Sequence, residues 1–501
     1  MEKLQGEIKI ETSNILNDFK KHLEIDNNKR ILFSGPFGTG KSTFLNELSQ
    51  NENDDYFYLK IFPVNYSVSA NEDVFELIKF DILFQLIGNY YNQIDLEKED
   101  FTLLLKSQVF IMEHLKFMPL LYAILGFSEK IGTPIVDFIK ALEQTVGNFK
   151  KFSKDIKIDE EGDIKAFLKS IEEKKGNTYE MDAVSGLIFD LIQRVKKQND
   201  KQSVLIIDDL DRLDPEHIFR LFNIFSAHYN QINGNNKFGF DKIIFVCDIE
   251  NIRKIFHHRY GFDVDFSGYI DKFYSITPFD FDNRKYVKNK IRELLQKVKL
   301  DTQLDFYNFH TNQRFFIVVR AVVQTLIDAK LLNLRMLLSC PDLMIPDYYY
   351  GKKTGNAQSV LNSPLIVLFY LLKIFYGSFD ILEMKIKFLY ESFDRETFKS
   401  DHNYQYIISS ESDVENLVSY CLPFLLPEDV AYEKDVQDKT YYLENYGCTI
   451  HYNGFNNNYV GFKNFQKATR GDNVNSEEIE LNPYLILFDT FTRCKKRGIL
   501  K

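Results

Sequence analysis

Gly35-Pro36-Phe37-Gly38-Thr39-Gly40-Lys41-Ser42 fits the pattern G-x-x-x-x-G-K-[ST] in full, between an apolar run, Ile31-Leu32-Phe33-Ser34, and a helix-like one, Thr43 to Ser49. A strand, a glycine-rich loop and a helix in that order make a cradle for nucleotide phosphates. A loop that turns its N–H groups inward around phosphate oxygens needs close approach and unusual φ values, which glycine tolerates. On this reading Gly35, Pro36, Phe37, Gly38, Thr39, Gly40, Lys41, Ser42 and Thr43 bind the nucleotide. Lys41 brings a cation to the β- and γ-phosphates, Ser42 offers a hydroxyl to Mg²⁺, and the positive end of the following helix adds a favourable dipole.

Outward from the loop, Ile15, Leu16, Phe19 and Leu23 recur at helical spacing behind Thr12 and Ser13, so a helix precedes the first strand. Tyr56 to Val64 is aromatic and β-branched and reads as a second strand, with a helix from about Asn71 to Leu86 behind it. This order opens a parallel α/β sheet. Residues 88–178 then give only helical periodicity and are expected to form a helical insertion, its acidic run Asp159-Glu160-Glu161-Gly162-Asp163 a solvated loop. The apolar segment Phe117 to Phe127 contains Pro119 and is shorter than the roughly 18 residues a membrane span needs, which favours a buried helical hairpin.

The sheet resumes with helix Ala183 to Lys197, strand Ser203 to Asp208, helix Pro215 to Tyr229, strand Lys242 to Cys247, helix Ile249 to His258 and a fifth strand, Phe273 to Thr277. The expected fold is therefore α/β, a P-loop NTPase core with a five-stranded parallel sheet. Its N-terminal helix and first part occupy 1–87, the insertion 88–178, the second part 179–280, and a helical lid-like region 281–340. The remainder, 341–501, is expected to be mixed and mostly helical, with helices Ser363 to Tyr376 and Leu382 to Phe393 and a hairpin near Thr449 to Phe465. No motif there carries chemistry.

The run Val204 to Ile207 delivers Asp208 and Asp209 at the carboxyl end of a strand, where α/β sheets bind ligands. Asp208 is placed to hold Mg²⁺ through water, and Asp209 to orient or deprotonate an attacking water. Asp248, after the next strand, suits either contact with the γ-phosphate or the N-cap of the following helix. Arg335, in Asn333-Leu334-Arg335-Met336-Leu337, is a candidate for the γ-phosphate, and Arg259, with Arg253 behind it, for an arginine finger given to a neighbouring subunit. Asn236-Lys237-Phe238-Gly239 imitates a guanine reader but lacks its aspartate, so a GTPase is disfavoured.

With 501 residues, 45% hydrophobic and 27% charged, the chain has the composition of a globular protein of several domains. A net charge of −10 argues against a non-specific grip on nucleic acid or anionic lipid. The basic Cys494-Lys495-Lys496-Arg497 reads as a solvated tail. Cys247, Cys340, Cys421, Cys448 and Cys494 are odd in number and free of metal-ligand spacing, which fits thiols in a reducing compartment. With no basic n-region and apolar h-region at the start, the expected location is cytoplasmic.

Together, the phosphate loop with its aromatic third position, Val204 to Arg212 reading V-L-I-I-D-D-L-D-R, Phe245-Val246-Cys247-Asp248 and Tyr269-Ile270-Asp271-Lys272-Phe273 resemble the KAP family of P-loop NTPases. The resemblance covers about Glu11 to Asp280 plus Asn333 to Leu337, the latter similar to the family's sensor arginine segment. It implies an additional-strand ATPase fold related to AAA+ and STAND proteins, hydrolysis of ATP, an oligomeric switch or an effector partner, and, as context, bacterial defence against phages and plasmids. The chain departs from the family in carrying Phe37 where tryptophan is usual and in lacking a tryptophan within Phe62-Pro63-Val64-Asn65-Tyr66. Many relatives insert transmembrane helices where this chain has its weakly apolar insertion. A scaffold that binds ATP without significant turnover needs the same loop and stands as the alternative.

Overall fold

β1 (Arg30–Ser34), β2 (Tyr56–Ile61), β3 (Gln202–Ile207), β4 (Lys242–Cys247) and β5 (Phe279–Asp280) pair in the order β2-β3-β4-β1-β5, every pair parallel. All of β4 is buried, and all of β3 except Gln202, as a sheet covered by helices on both faces demands. β2, at the edge, alternates half-buried and buried residues, so Tyr58 and Lys60 share one face. The computed structural model describes residues 10–50, 55–66, 74–90, 183–227, 238–295, 299–300, 313–338, 344–345, 347–350, 358–359, 363–392, 411–427, 438–456, 459–467, 478–479 and 481–500. The expected insertion, with its apolar hairpin and acidic loop, lies outside the described residues apart from its first three positions.

Two compact units result, one of residues 13–36 and 41–281, the other of 1–12, 37–40 and 282–501. In the first, α1 (Ser13–Glu24) turns Ile15, Phe19 and Leu23 inward on one helical face. Phe19 meets Phe33 of β1 edge-on at 5.0 Å, and Phe44 of α2 (Lys41–Ser49) lies 5.7 Å from Phe33 and 5.0 Å from Phe281. This aromatic bed ties α1 and α2 to the strand that leads into the phosphate loop. α3 (Val74–Tyr90), α4 (Ala183–Asn199), α5 (Pro215–Ala227), α6 (Ile249–Tyr260) and α7 (Phe266–Ile270) complete the helical cover.

Two strand expectations need correction. The second strand, expected to run to Val64, ends at Ile61, and Pro63–Tyr66 is a 3-10 turn, because Pro63 has no N–H to give a ladder. The fifth strand is not Phe273 to Thr277 but Phe279–Asp280, which pairs with Phe33 and Ser34. Phe273 instead closes a 3-10 turn, Asp271–Phe273, with its ring 5.1 Å from both Phe222 and Tyr269, and Pro278 separates it from the ladder. An apolar run packs as readily into a turn as into a strand when its rings find partners.

In the second unit α8 (Arg284–Asn289), α9 (Ile291–Leu295), α10 (Gln313–Asp328), α11 (Leu334–Leu338), α12 (Pro364–Tyr376), α13 (Phe379–Ser392), α14 (Glu411–Leu425) and α15 (Pro483–Lys496) contribute to one hydrophobic core. Two small ladders, β6 (Lys299–Leu300) with β7 (Met344–Ile345) and β8 (Tyr349–Tyr350) with β9 (Gln358–Ser359), accompany them. The expected hairpin is the centre of a four-stranded antiparallel sheet, β10 (Lys439–Leu443), β11 (Cys448–Asn456), β12 (Tyr459–Lys467) and β13 (Glu478–Ile479). Cys494 to Arg497 is not a loose tail: Cys494 is buried in the last turn of α15, and Lys495 pairs with Asp380 at 2.6 Å and Glu383 at 2.5 Å. Among the described residues no single helix is long and apolar enough to cross a membrane; α12 and α13 pass only as a pair bent by 103°, and α12 is largely buried in the unit's own core.

A buried ion pair joins α8 to α10. Lys288 Nζ lies 2.8 and 3.1 Å from the two carboxylate oxygens of Asp328, with side chains 11% and 1% exposed. Burial pushes the Asp328 carboxyl up, and the Lys288 and Arg284 charges oppose that shift. Removing one partner leaves an uncompensated buried charge, so Lys288→Met is expected to lower stability by about 3 kcal/mol in thermal unfolding, whereas Lys288→Arg keeps the charge and loses less.

Candidate functional site

The phosphate loop starts where β1 ends. Gly35 N–H donates to Cys247 O at 3.1 Å, which fastens the loop's root to β4. Gly38 and Gly40 have φ of 74° and 96°, the left-handed region that side chains disfavour. A Cβ on Gly38 would also stand 2.8 Å from the Asn333 carboxamide, which would have to shift to admit it. The tip of the loop, 37–40, belongs to the second unit, which holds it by main-chain contacts: Asn283 Nδ2 donates to Thr39 O, and Arg335 N–H to Gly38 O at 3.0 Å. Phe37 is exposed, Thr39 buried, Ser42 half-buried and Thr43 exposed. Lys41 opens α2 with its ammonium folded back on the loop, donating to Gly35 O at 2.6 Å and Pro36 O at 3.2 Å. Those carbonyls hold it where phosphate oxygens are the better acceptors.

At the end of β3, Asp208 is fully buried. Its Oδ1 accepts from Asp209 N–H at 2.9 Å, and its Oδ2 lies 2.9 Å from Lys60 Nζ. Lys60 belongs to β2, and the same ammonium reaches Ser42 O at 3.3 Å and Asn46 Oδ1 at 3.0 Å, both on α2. The head of the loop's helix and the acidic strand end therefore share one cation. Mg²⁺ fits this donor set: it takes hard oxygens, keeps several waters and is held by one or two carboxylates, and the Asp208 carboxylate and the Ser42 hydroxyl are oxygens of that kind. The Asp208 Oδ2 contact with Lys60 is an ion pair rather than a well-directed hydrogen bond, so that oxygen keeps hydrogen-bonding capacity for a metal-bound water.

The neighbouring acids divide the remaining work. Asp209 has a left-handed backbone, φ 56° and ψ 36°, and its carboxylate pairs with Arg212 at 2.9 Å. Asp248 is the N-cap of α6, accepting from Glu250 N–H at 3.1 Å and Asn251 N–H at 3.4 Å. Its own N–H donates to Asp211 Oδ2 at 3.0 Å, and Ile249 N–H donates to Ser34 Oγ at 3.1 Å, so the ends of β1, β3 and β4 are knitted together. Asp211 is buried, and its Oδ1 makes no hydrogen bond of ordinary geometry. Desolvation raises its pKa, opposed by the Asp248 N–H and by the charge of Lys41. Arg259 sits 3.9 Å from Glu216 and over the Tyr260 ring, and Arg253 pairs with Glu250; both are exposed on α6.

Sequence reasoning missed Lys60 and Asn283, and saw Asp211 and Asn333 only as parts of motifs. A lysine on an edge strand carries no pattern of its own; what marks Lys60 is its place across the sheet, one strand from Asp208, which the register Lys60 to Ile206 supplies. Tyr269 to Phe273 has a structural meaning: the Tyr269 ring packs 4.9 Å from Phe256, 5.6 Å from Phe219 and 5.1 Å from Phe273. No curated protein matches the chain. The model of the KAP family P-loop domain matches residues 12–335, a span that contains the phosphate loop, Asp208 and every strand of the parallel sheet, and the chain belongs to this family of P-loop NTPases.

Proposed function

We propose that this chain binds ATP and hydrolyses it with Mg²⁺, and that the nucleotide state switches its assembly, with itself or with an effector protein. The observation that carries the reading is the Lys60 ammonium within 3.3 Å of both Ser42 O and Asp208 Oδ2, which brings the loop's helix and the acidic strand end into one site. Lys41 exchanges the Gly35 and Pro36 carbonyls for β- and γ-phosphate oxygens, while the loop amides and the start of α2 take the remaining phosphate charge. Ser42 and Asp208 are the residues that would hold Mg²⁺, which when bound would neutralise charge at the phosphates. Asp209 leaves Arg212 to orient or deprotonate the attacking water. Asp248 keeps its cap and fixes the strand end beside them. Arg335, bonded through its backbone to Gly38, is the proposed sensor of the γ-phosphate, and the exposed Arg259 the proposed finger for a neighbouring copy.

The switch role, and service in antiphage defence, rest on the family resemblance. Free, buried thiols at Cys247, Cys421, Cys448 and Cys494 support a reducing, cytoplasmic setting. A second reading, a nucleotide-gated scaffold with negligible turnover, draws on one observation: the Asp209 carboxylate is already paired with Arg212. Steady-state phosphate release from ATP, measured with and without Mg²⁺ over a range of protein concentrations, separates the two. The hydrolase reading expects Mg²⁺-dependent release, with a specific rate that rises with concentration if Arg259 acts across subunits. Tight nucleotide binding without release assigns the scaffold.

A further inference from the structure

Among the described residues Lys60 touches both proposed Mg²⁺-holding elements, and nothing in the proposed chemistry uses it. Its ammonium lies 2.9 Å from Asp208 Oδ2, 3.0 Å from Asn46 Oδ1 and 3.3 Å from Ser42 O, and 4.9 Å from the centre of the Phe62 ring. The strand that carries it is held at the same residue: Gln85 Nε2 of α3 donates to Lys60 O at 2.7 Å and to Asp81 Oδ1 at 2.8 Å. The side chain is 12% exposed and that of Asp208 fully buried. A buried carboxylate without a counter-charge is costly, so before any metal arrives Lys60 neutralises Asp208.

We propose that Lys60 is a tethered counter-cation of Asp208 that competes with Mg²⁺ and so sets the Mg²⁺ concentration at which nucleotide is held; this rests on the ATP-binding reading. A divalent ion held by Asp208 would meet a positive charge already in contact with the same carboxylate, and like charges repel more strongly in a partly buried site than in water. The conflict is relieved when Lys60 gives up Asp208 and keeps Asn46 Oδ1, Ser42 O and the Phe62 face. Asn46 is thus the resting place that makes displacement possible. The undirected geometry of the Lys60–Asp208 contact suits a partner that must let go.

Opposite signs in two variants test this. Binding of a fluorescent, non-hydrolysable ATP analogue to the full chain is measured as Mg²⁺ is titrated from a chelator-buffered zero. In Lys60→Met the midpoint in Mg²⁺ is expected about tenfold below that of the unaltered protein, because the repelling charge is gone and Asp208 is left unpaired. In Asn46→Ala, an exposed position whose loss leaves the fold intact, the midpoint is expected to rise by about threefold, since Lys60 loses its alternative acceptor. Lys60→Arg, with the charge kept, is expected near the unaltered value. Midpoints that do not move in Lys60→Met and Asn46→Ala overturn the proposal, and so does a rise in Lys60→Met, which would make Lys60 a support for the metal rather than a rival. If the unaltered chain takes up no analogue at any Mg²⁺ concentration, the ATP-binding reading falls and this inference with it; uptake with immobile midpoints removes the inference alone. Should Lys60→Met not fold, the upward shift in Asn46→Ala still decides.

Discussion

Lys41→Ala is expected to abolish nucleotide binding, weakening the affinity for ATP by a factor of at least about 100, or roughly 3 kcal/mol. The ammonium sits at the start of α2, already inside the loop and 2.6 Å from Gly35 O, so it need only exchange acceptors to reach a phosphate. Its loss removes a charge-assisted bond from the centre of the cradle and leaves the loop amides, the helix end and the metal to balance the phosphate charge without it. The fold is expected to survive: α2 is anchored by Phe44, Leu45 and Leu48, not by Lys41. Calorimetric titration with ATP reads the affinity, and the thermal unfolding of the nucleotide-free variant reads the fold. Added ATP raises the unfolding temperature of the unaltered chain and leaves that of Lys41→Ala unmoved. An affinity within about threefold of the unaltered protein would mean that the triphosphate does not sit in this loop.

How much of this was legible before the structure depends on the range of the interaction. The phosphate loop is local: a strand, a turn that only glycine allows at Gly38 and Gly40, and a helix, all within residues 30 to 49, so its pattern is written contiguously. Asp208 was legible for the same reason, since Val204 to Ile207 must be buried and the next residue must emerge at the sheet's edge. Strand order was not. Nothing within β3 says that it lies beside β2 and β4, and it is that order which brings Lys60 to Asp208 from nearly 150 residues away.

The two strand corrections have a related cause. Period-2 and aromatic patterns report that residues are buried, not what buries them, so Phe273 read as strand while its ring was destined for Phe222 and Tyr269. Asp248 shows the converse. Its position before an amphipathic helix announced the N-cap, and the cap formed, while the bond from its N–H to the buried Asp211 depended on a neighbouring loop that no local pattern specifies. Arg335 was a candidate from its place at the end of the helical region after the core, while its link to the loop runs through the backbone N–H, the atom least visible in a sequence.

Asp209→Asn is expected to leave ATP binding within about threefold of the unaltered protein while cutting phosphate release by a factor of roughly 100 to 10,000, the span attributed to a positioned acid or base. Asparagine suits the test because position 209 has φ 56°, a left-handed conformation that asparagine adopts more readily than most residues, so the loop keeps its course and only the negative charge is lost. That loss also strands Arg212, the present partner of Asp209 at 2.9 Å, and the two effects must be separated. Arg212→Ala does so. The pair is partly exposed, of a kind worth about 0–1 kcal/mol, so breaking it from the arginine side is expected to change phosphate release by no more than about fivefold. A large fall in Asp209→Asn with a small change in Arg212→Ala therefore assigns the water-orienting role to the carboxylate itself. Equal falls in both would instead make the ion pair a structural clasp, with Asp209 acting only through the loop that Arg212 holds, and a normal rate in Asp209→Asn would remove Asp209 from the chemistry altogether.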